Sequence, residues 1–225
     1  ATHQFRGYEL YKKVKDYAES GRLGKLLYGN AQVPWYRSDE YYSDSWHGTK
    51  ELDGGGALMN QSIHYVDLLI WIMGDVRMLG GFADALAHDM IEVEDCATAA
   101  LKFQSGAQGM IQGTTCTYEG HPAVLEIHGT KGNIVTVGED IKVWEVEGEE
   151  TVYNPDAGDI GGAADPEDGM KGEATKAHAE QIADLLDAVE NDREPELSAR
   201  EARRAVEVIL KIYESSESGQ MVTFD

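Results

Sequence analysis

DGGGALMNQSIHYVDLLIWIMG, residues 53–74, is the stretch from which the fold is read. After three glycines, Leu58, Ile63, Val66, Leu69, Ile70 and Met73 recur at the spacing of one helix face, and Gly74 follows as a stop, so a helix is expected over Ala57–Met73. Upstream, Leu10, Tyr11, Val14, Tyr17 and Ala18 repeat the helical period and Gly21 ends it, which predicts a helix over about 8–20. A strand-like run from Leu26 to Tyr36 comes next, then a polar, aromatic and irregular segment from Arg37 to Asp53.

Downstream the period changes. From Val76 to about Val146, short runs rich in Val, Ile and Thr are separated by Ser105-Gly106, Glu119-Gly120, Lys131-Gly132 and Gly138-Glu139-Asp140, the pattern of a mainly antiparallel meander. Asn154–Gly172, rich in Gly, Asp and Ala, reads as an exposed loop. Ala174–Val189 carries Ile182, Leu185, Leu186 and Val189 on one face, and Ser198 with Glu201 makes a capping box for a last helix that Gly219 closes. Met221–Phe224 reads as one more strand. Helices at both ends of a run of strands predict an α+β domain over 1–225: an open, mainly antiparallel sheet with helices packed on one face. The other face is left for solvent, a ligand or a second subunit.

A chain of 225 residues can bury roughly 70% of its unfolded surface, so a core needs no staples. Against 19 basic residues stand 41 acidic ones, a formal charge of −22. Such a field repels phosphate backbones and anionic headgroups, so neither nucleic acid nor a membrane is an expected partner, and an acidic, halophilic surface is. Cys96 and Cys116 lack the spacing of a zinc or redox motif. The run Tyr65–Met73 is too short to span a bilayer and contains Asp67, and reduced thiols point to the cytoplasm.

The chemistry is expected on the 57–73 helix, where Asn60, His64 and Asp67 fall along one side. A histidine takes a proton at neutral pH, and a neighbouring carboxylate or amide can fix its tautomer. In that reading Asn60 holds a substrate hydroxyl, His64 removes its proton and Asp67 orients His64; a satisfied core histidine flanked by surface polar groups fits the spacing equally well. No metal is expected, because a zinc site on His64 and Asp67 has no further ligands in view. Arg37, Trp46, Lys50 and His178 are lesser candidates for substrate contact, the two cations for a hydroxyl, carboxylate or phosphate.

The run Asp53–Asp67 resembles the signature of the second domain of the Gfo/Idh/MocA dehydrogenases. Gly21-Arg-Leu-Gly-Lys25, Trp46-His-Gly-Thr49, Val93-Glu-Asp95, Leu125-Glu-Ile-His-Gly-Thr-Lys-Gly132 and the helix from Ser198 to Gly219 are similar to the family's sequence, in its order. The resemblance implies that His64 is the acid/base for the substrate hydroxyl while hydride passes to a nicotinamide, NAD or NADP. It also implies that Asp67 and Tyr118 face substrate, and that the open sheet serves homo-oligomer contacts. Asn60 stands where many members carry aspartate, so it would bind rather than ionise. The family's first domain, a Rossmann fold with a glycine fingerprint and a Glu-Lys-Pro motif, has no counterpart here: Gly158–Gly162 lacks the spacing. Residues 1–6 are accordingly expected to be the exit from such a domain, the cofactor to be held mainly there, and this portion alone to be inactive. The expected substrate is a sugar, cyclitol or nucleotide-sugar; the alternative is a non-catalytic sugar-binding or oligomerisation module of the same fold.

Overall fold

Burial alternates along the strands, as in Cys96–Phe103, where Ala97, Ala99, Leu101 and Phe103 point inward and Ala100 and Lys102 outward; a strand with one apolar face must lay that face on something. The computed structural model describes residues 2–43, 46–158 and 173–224. A short 3-10 turn (Gln4–Gly7) leads into α1 (Glu9–Glu19), followed by β1 (Leu26–Pro34), a π-helical turn (Leu58–Ser62) continuous with α2 (Ile63–Met73), and β2 (Val76–Asp84). Then come β3 (Cys96–Phe103), β4 (Gln108–Thr114), β5 (Val124–Gly129), β6 (Gly132–Val137), β7 (Asp140–Val146), β8 (Val152–Tyr153), α3 (Glu173–Glu190), α4 (Ala199–Ser218) and β9 (Val222–Thr223).

The strands form one nine-stranded sheet in the order β8-β7-β6-β5-β1-β4-β3-β2-β9. The α+β expectation holds, with one addition: β1 lies parallel to β4, Tyr28 opposite Gln108 through Pro34 opposite Thr114, while the other pairings are antiparallel. A meander read from strand spacing alone misses this, because the first strand is inserted between β5 and β4 after the intervening helix has crossed the sheet. Packing of α2 on β1 and β5, of α4 on β2 and α2, and of α1 on α2 puts the core on one face. Fully buried Tyr11, Leu58, Leu68, Leu69, Ile111, Leu125, Ile127 and Ile134 fill it.

Across the other face, side chains pair in rows: Asn30 donates to Glu126 at 2.8 Å, His128 meets Asn133 at 3.0 Å and stacks on Tyr28, and Asn133 donates to Glu145 at 3.0 Å. Such cross-strand pairs steady the sheet where no helix covers it.

Two expectations change. Ser198 caps α4 by accepting from the Glu201 N–H at 3.3 Å, but the Glu201 carboxylate turns to Arg204 at 2.8 Å instead of closing the box. The Ile182, Leu185, Leu186, Val189 side of α3 does not pack on the sheet; α3 is held through Ala174 and Ala177 at the amino-terminal turn, with Ala177 close to Gly7. Of the expected 154–172 loop, residues 159–172 lie outside the described residues.

Candidate active site

The helix bearing Asn60 and His64 starts in an unusual way, and the glycines explain it. Ala57 N–H donates to the Glu94 carbonyl at 3.0 Å, while the Glu94 carboxylate accepts from Gly56 N–H at 2.9 Å, Leu58 N–H at 2.8 Å and the Tyr213 hydroxyl at 2.9 Å. A carboxylate from another strand end thus satisfies amide groups at the helix start that its own sequence leaves without a cap. A Cβ on Gly56 would overlap the Glu94 carbonyl, and one on Gly55 would press on Met59 and the Tyr213 hydroxyl. Burial pushes the Glu94 pKa up against the pull of these donors, and burial followed by Glu94 itself pushes Tyr213 far above its ordinary range.

From there the chain takes a wide turn, with Ser62 N–H bonded back to the Ala57 carbonyl at 2.9 Å, five residues earlier. Asn60 sits in this π-turn, a feature frequent at functional sites. Its Nδ2 donates to Asp53 Oδ1 at 2.9 Å, and Asp53 Oδ2 accepts from Gly48 N–H at 2.8 Å, which fixes the amide's orientation.

His64 follows in the first turn of α2. The Gln4 amide nitrogen is 3.4 Å from its Nε2, the Phe5 ring tilts against it at 5.0 Å, and the His3 ring meets it edge-on at 6.1 Å. Nδ1 is buried without a hydrogen-bond partner. Burial first, then His3 and His178 nearby, lowers the His64 pKa to about 4, so at neutral pH the ring is uncharged.

Asp67 does not orient His64. It is fully buried and held by Arg6, whose Nε and Nη2 donate to its two oxygens at 2.7 and 2.6 Å, with His3 Nε2 at 3.7 Å. A carboxylate in a dry core needs a cation with matching geometry, and the guanidinium fork meets that need where a neutral imidazole would not. Trp71 covers Arg6 at 5.2 Å. The pair therefore pins the segment carrying Gln4 and Phe5 onto the helix that carries His64.

The remaining candidates fall into separate places. Arg37 lies over Trp35 and Tyr41 at 5.5 and 5.4 Å, and Tyr41 accepts from Gln61 Nε2 at 3.2 Å, so this aromatic patch borders the π-turn beside Asn60. Its backbone is anchored by His88, which bridges the Arg37 carbonyl at 2.9 Å and Asp95 at 3.0 Å. Trp46, half exposed, lies tilted against His47, whose ring centroid is 4.1 Å from that of Tyr41. His178 on α3 bonds the Ala174 carbonyl at 2.8 Å and lies close enough to His64 to oppose its protonation. Lys50 lines a different cavity of about 480 Å3, with Gly54, Glu92, Glu94 and Tyr213. Tyr118, 81% exposed, is not drawn into either cluster.

Composition and spacing gave no weight to Gln4, Phe5, Arg6, Asp53 or Glu94. Arg6, in the mixed run Thr2-His3-Gln4-Phe5-Arg6, carried no signal of a buried partner; Glu94 was marked only by lying in the family-like run Val93-Glu-Asp95, because its partners, two backbone amides and Tyr213, are far away in sequence. Among the described residues no cluster of His, Cys, Asp and Glu could hold a metal ion, and no helix is long and apolar enough to cross a membrane.

The GFO/IDH/MocA C-terminal domain model matches residues 11–135. Among curated proteins the chain is 26% identical over 146 residues to levoglucosan dehydrogenase of Pseudarthrobacter phenanthrenivorans, covering 54% of this chain and 37% of that protein. It is 29% identical over 130 residues to myo-inositol 2-dehydrogenase of Thermotoga maritima, covering 55% and 36%. The WlbA dehydrogenase of Bordetella pertussis, solved with NADH and UDP-GlcNAcA, superposes with a TM-score of 0.82 at 31% identity, over 100% of this chain and 63% of that one. The chain thus spans less than two thirds of each of these relatives. With the nine-stranded open sheet and its flanking helices in place, the chain belongs to the GFO/IDH/MocA family and has the fold of its C-terminal domain.

Proposed function

We propose that this chain is the substrate-binding and proton-transfer portion of an NAD(P)-dependent dehydrogenase that oxidises a hydroxyl of a sugar, cyclitol or nucleotide-sugar. The observation that carries this reading is the placement of His64 in the first turn of α2, its Nε2 3.4 Å from the Gln4 amide nitrogen and its ring against Phe5, one turn beyond an amide that Asp53 orients. Asn60, its NH2 group occupied by Asp53, offers its carbonyl oxygen to a substrate hydroxyl. His64 takes the proton of the hydroxyl being oxidised, so the carbon–oxygen bond gains its second pair as the C–H bond is lost. A bound nicotinamide accepts the hydride from that carbon. In the reverse direction His64 returns the proton to the new alkoxide.

The chain spans 63% of the WlbA dehydrogenase solved with NADH, which supports a dinucleotide held mainly by a further part of a longer chain. Asp67 serves by holding Arg6 and the 3–6 segment in place. Arg37, lying over Trp35 and Tyr41 with Tyr41 bonded to Gln61 of the π-turn, suits an anionic group on the substrate, such as the acid of a uronate or a nucleotide phosphate; WlbA dehydrogenase, crystallised with UDP-GlcNAcA, is consistent with that class. The rows of paired polar side chains on the uncovered sheet face suit contact with a second copy, in a cytoplasmic homo-oligomer.

The test is reconstruction. Joined to a nucleotide-binding domain and offered nucleotide-sugars, sugars and cyclitols, the chain should reduce NAD or NADP, and His64→Ala should cut kcat by about a hundredfold or more. An unchanged rate in His64→Ala would remove the base assignment. The second reading, a sugar-binding or oligomerisation module without turnover, is favoured by Phe5 and Gln4 covering the ring, and sugar binding without dinucleotide reduction in the joined protein would select it.

A further inference from the structure

The chain has two cysteines, and the fold brings them together although nothing in their spacing does. Cys96 opens β3 on the outward side of its alternation, directly opposite Thr114 at the end of β4. Cys116 stands two residues past Thr114, where the chain leaves the β3–β4 ladder and bridges to Tyr36. Its Sγ is 3.0 Å from the Thr114 hydroxyl and 3.9 Å from the Asp95 carbonyl, and the Cys96 thiol interacts with both the Thr114 hydroxyl and the Cys116 thiol. Both cysteines are partly exposed, clear of the polar rows on β1 and β5–β7. The residues just before them hold Arg37 from two sides. Thr115 accepts from the Arg37 N–H at 2.7 Å and meets the Tyr42 hydroxyl at 2.8 Å; Asp95 holds His88, which reaches the Arg37 carbonyl at 2.9 Å. Thr115 N–H also donates to the Asp95 carbonyl at 2.9 Å, so the two holds are joined.

We propose that Cys96 and Cys116 are a redox pair, closed to an intramolecular disulfide by a low-molecular-weight disulfide such as oxidised glutathione and reopened by excess thiol, and that closing shifts the Arg37–Tyr42 wall. Cys116, as its thiolate, attacks one sulfur of the small disulfide and expels a thiolate, which takes up the Cys116 proton. Cys96 then gives up its proton and attacks the mixed disulfide at Cys116 Sγ, expelling the second small thiolate, which takes that proton. The protein loses two electrons and two protons, and the small disulfide gains both as two thiols. Burial first, then Cys116, pushes the Cys96 thiol up, which suits it to the second step. Diagonal positions across an antiparallel pair lie about 7–8 Å apart between Cα atoms, while a disulfide spans about 4.4–6.8 Å. Closing from such a placement draws residues 115–116 toward β3 by about 1 Å, and Thr115 carries its bonds to Arg37 and Tyr42 with it. The redox pair stands apart from the dehydrogenase reading; only an effect on a substrate held by Arg37 rests on it.

The experiment equilibrates the 225-residue chain with mixtures of oxidised and reduced glutathione and reads it by mass spectrometry and amide hydrogen exchange. The intact chain should lose two hydrogens, with the tryptic peptides ending at Lys102 and Lys131 joined, and should regain them in excess dithiothreitol. Cys96→Ser should stop at the mixed disulfide, with glutathione on Cys116. In the oxidised chain the Arg37 amide should change its exchange rate by about fivefold or more, while the same treatment of Cys96→Ser leaves it unmoved. The pair is overturned if the thiols stay free at the highest oxidised glutathione, if they carry glutathione without an internal bond, or if the bond forms between two copies. An internal bond that leaves Arg37 exchange unchanged, or that unfolds the chain by circular dichroism, overturns the coupling to the wall. Turnover is not a readout, so failure here leaves the assignment of His64 standing, and failure of that assignment leaves the thiol pair standing.

Discussion

Arg6→Met removes one half of a buried pair and leaves Asp67, fully buried, with only His3 within 3.7 Å. Breaking such a pair from one side costs about 3–5 kcal/mol, because the stranded charge loses its compensation without regaining water. For a domain of this size each kcal/mol moves Tm by about 2–4 °C, so a fall of about 6–20 °C is expected by calorimetry or circular dichroism. Removing both partners, in Arg6→Met with Asp67→Leu, should restore most of the loss, since no buried charge then remains. The second consequence is local. With Arg6 gone, Gln4 and Phe5 are no longer pinned over His64, and its ring titration, followed by NMR, should move from about 4 toward the ordinary 6.5. A single variant losing less than about 1 kcal/mol, or a double variant no more stable than the single one, would refute the account of Asp67 as the anchor of the amino-terminal segment.

Gly56→Ala should fail to fold or lose several kcal/mol, because the added methyl meets the Glu94 carbonyl that holds the helix start; Gly54→Ala, where a Cβ meets nothing but φ is +76°, should cost about 1 kcal/mol, measured by urea denaturation. The lowered His64 pKa makes stability depend on pH: the unfolded ring binds its proton near 6.5 and the folded ring only near 4, so stability is full above about 6.5 and is lost progressively as pH falls through that window. His64→Gln should flatten that part of the stability profile. Tyr213→Phe removes a donor to the buried Glu94 carboxylate and should destabilise by about 1.5–3 kcal/mol in the same denaturation assay, with Glu94→Gln in a cycle to isolate the coupling. With a charge of −22, the chain should gain Tm steadily from low salt to molar KCl; a Tm insensitive to KCl would argue against self-repulsion as the consequence of its acidity.

The helices, the strand-rich middle and the identity of the helix bearing Asn60 and His64 were legible in the sequence, because side-chain period, glycine stops and turn residues are local and repeat over many positions. The family likeness was legible for the same reason, being carried by continuous runs such as Asp53–Asp67 and Leu125–Gly132. What only the tertiary structure decided are contacts between residues far apart in the chain. The parallel β1–β4 pairing depends on where the first strand inserts. The cap from Glu94 to Gly56 and Leu58 depends on a strand end meeting a helix start. The partner of Asp67 turned out to be Arg6 rather than His64, since a buried carboxylate takes the cation that can reach both its oxygens, and nothing in the spacing of Asn60, His64 and Asp67 says which cation the fold will bring there.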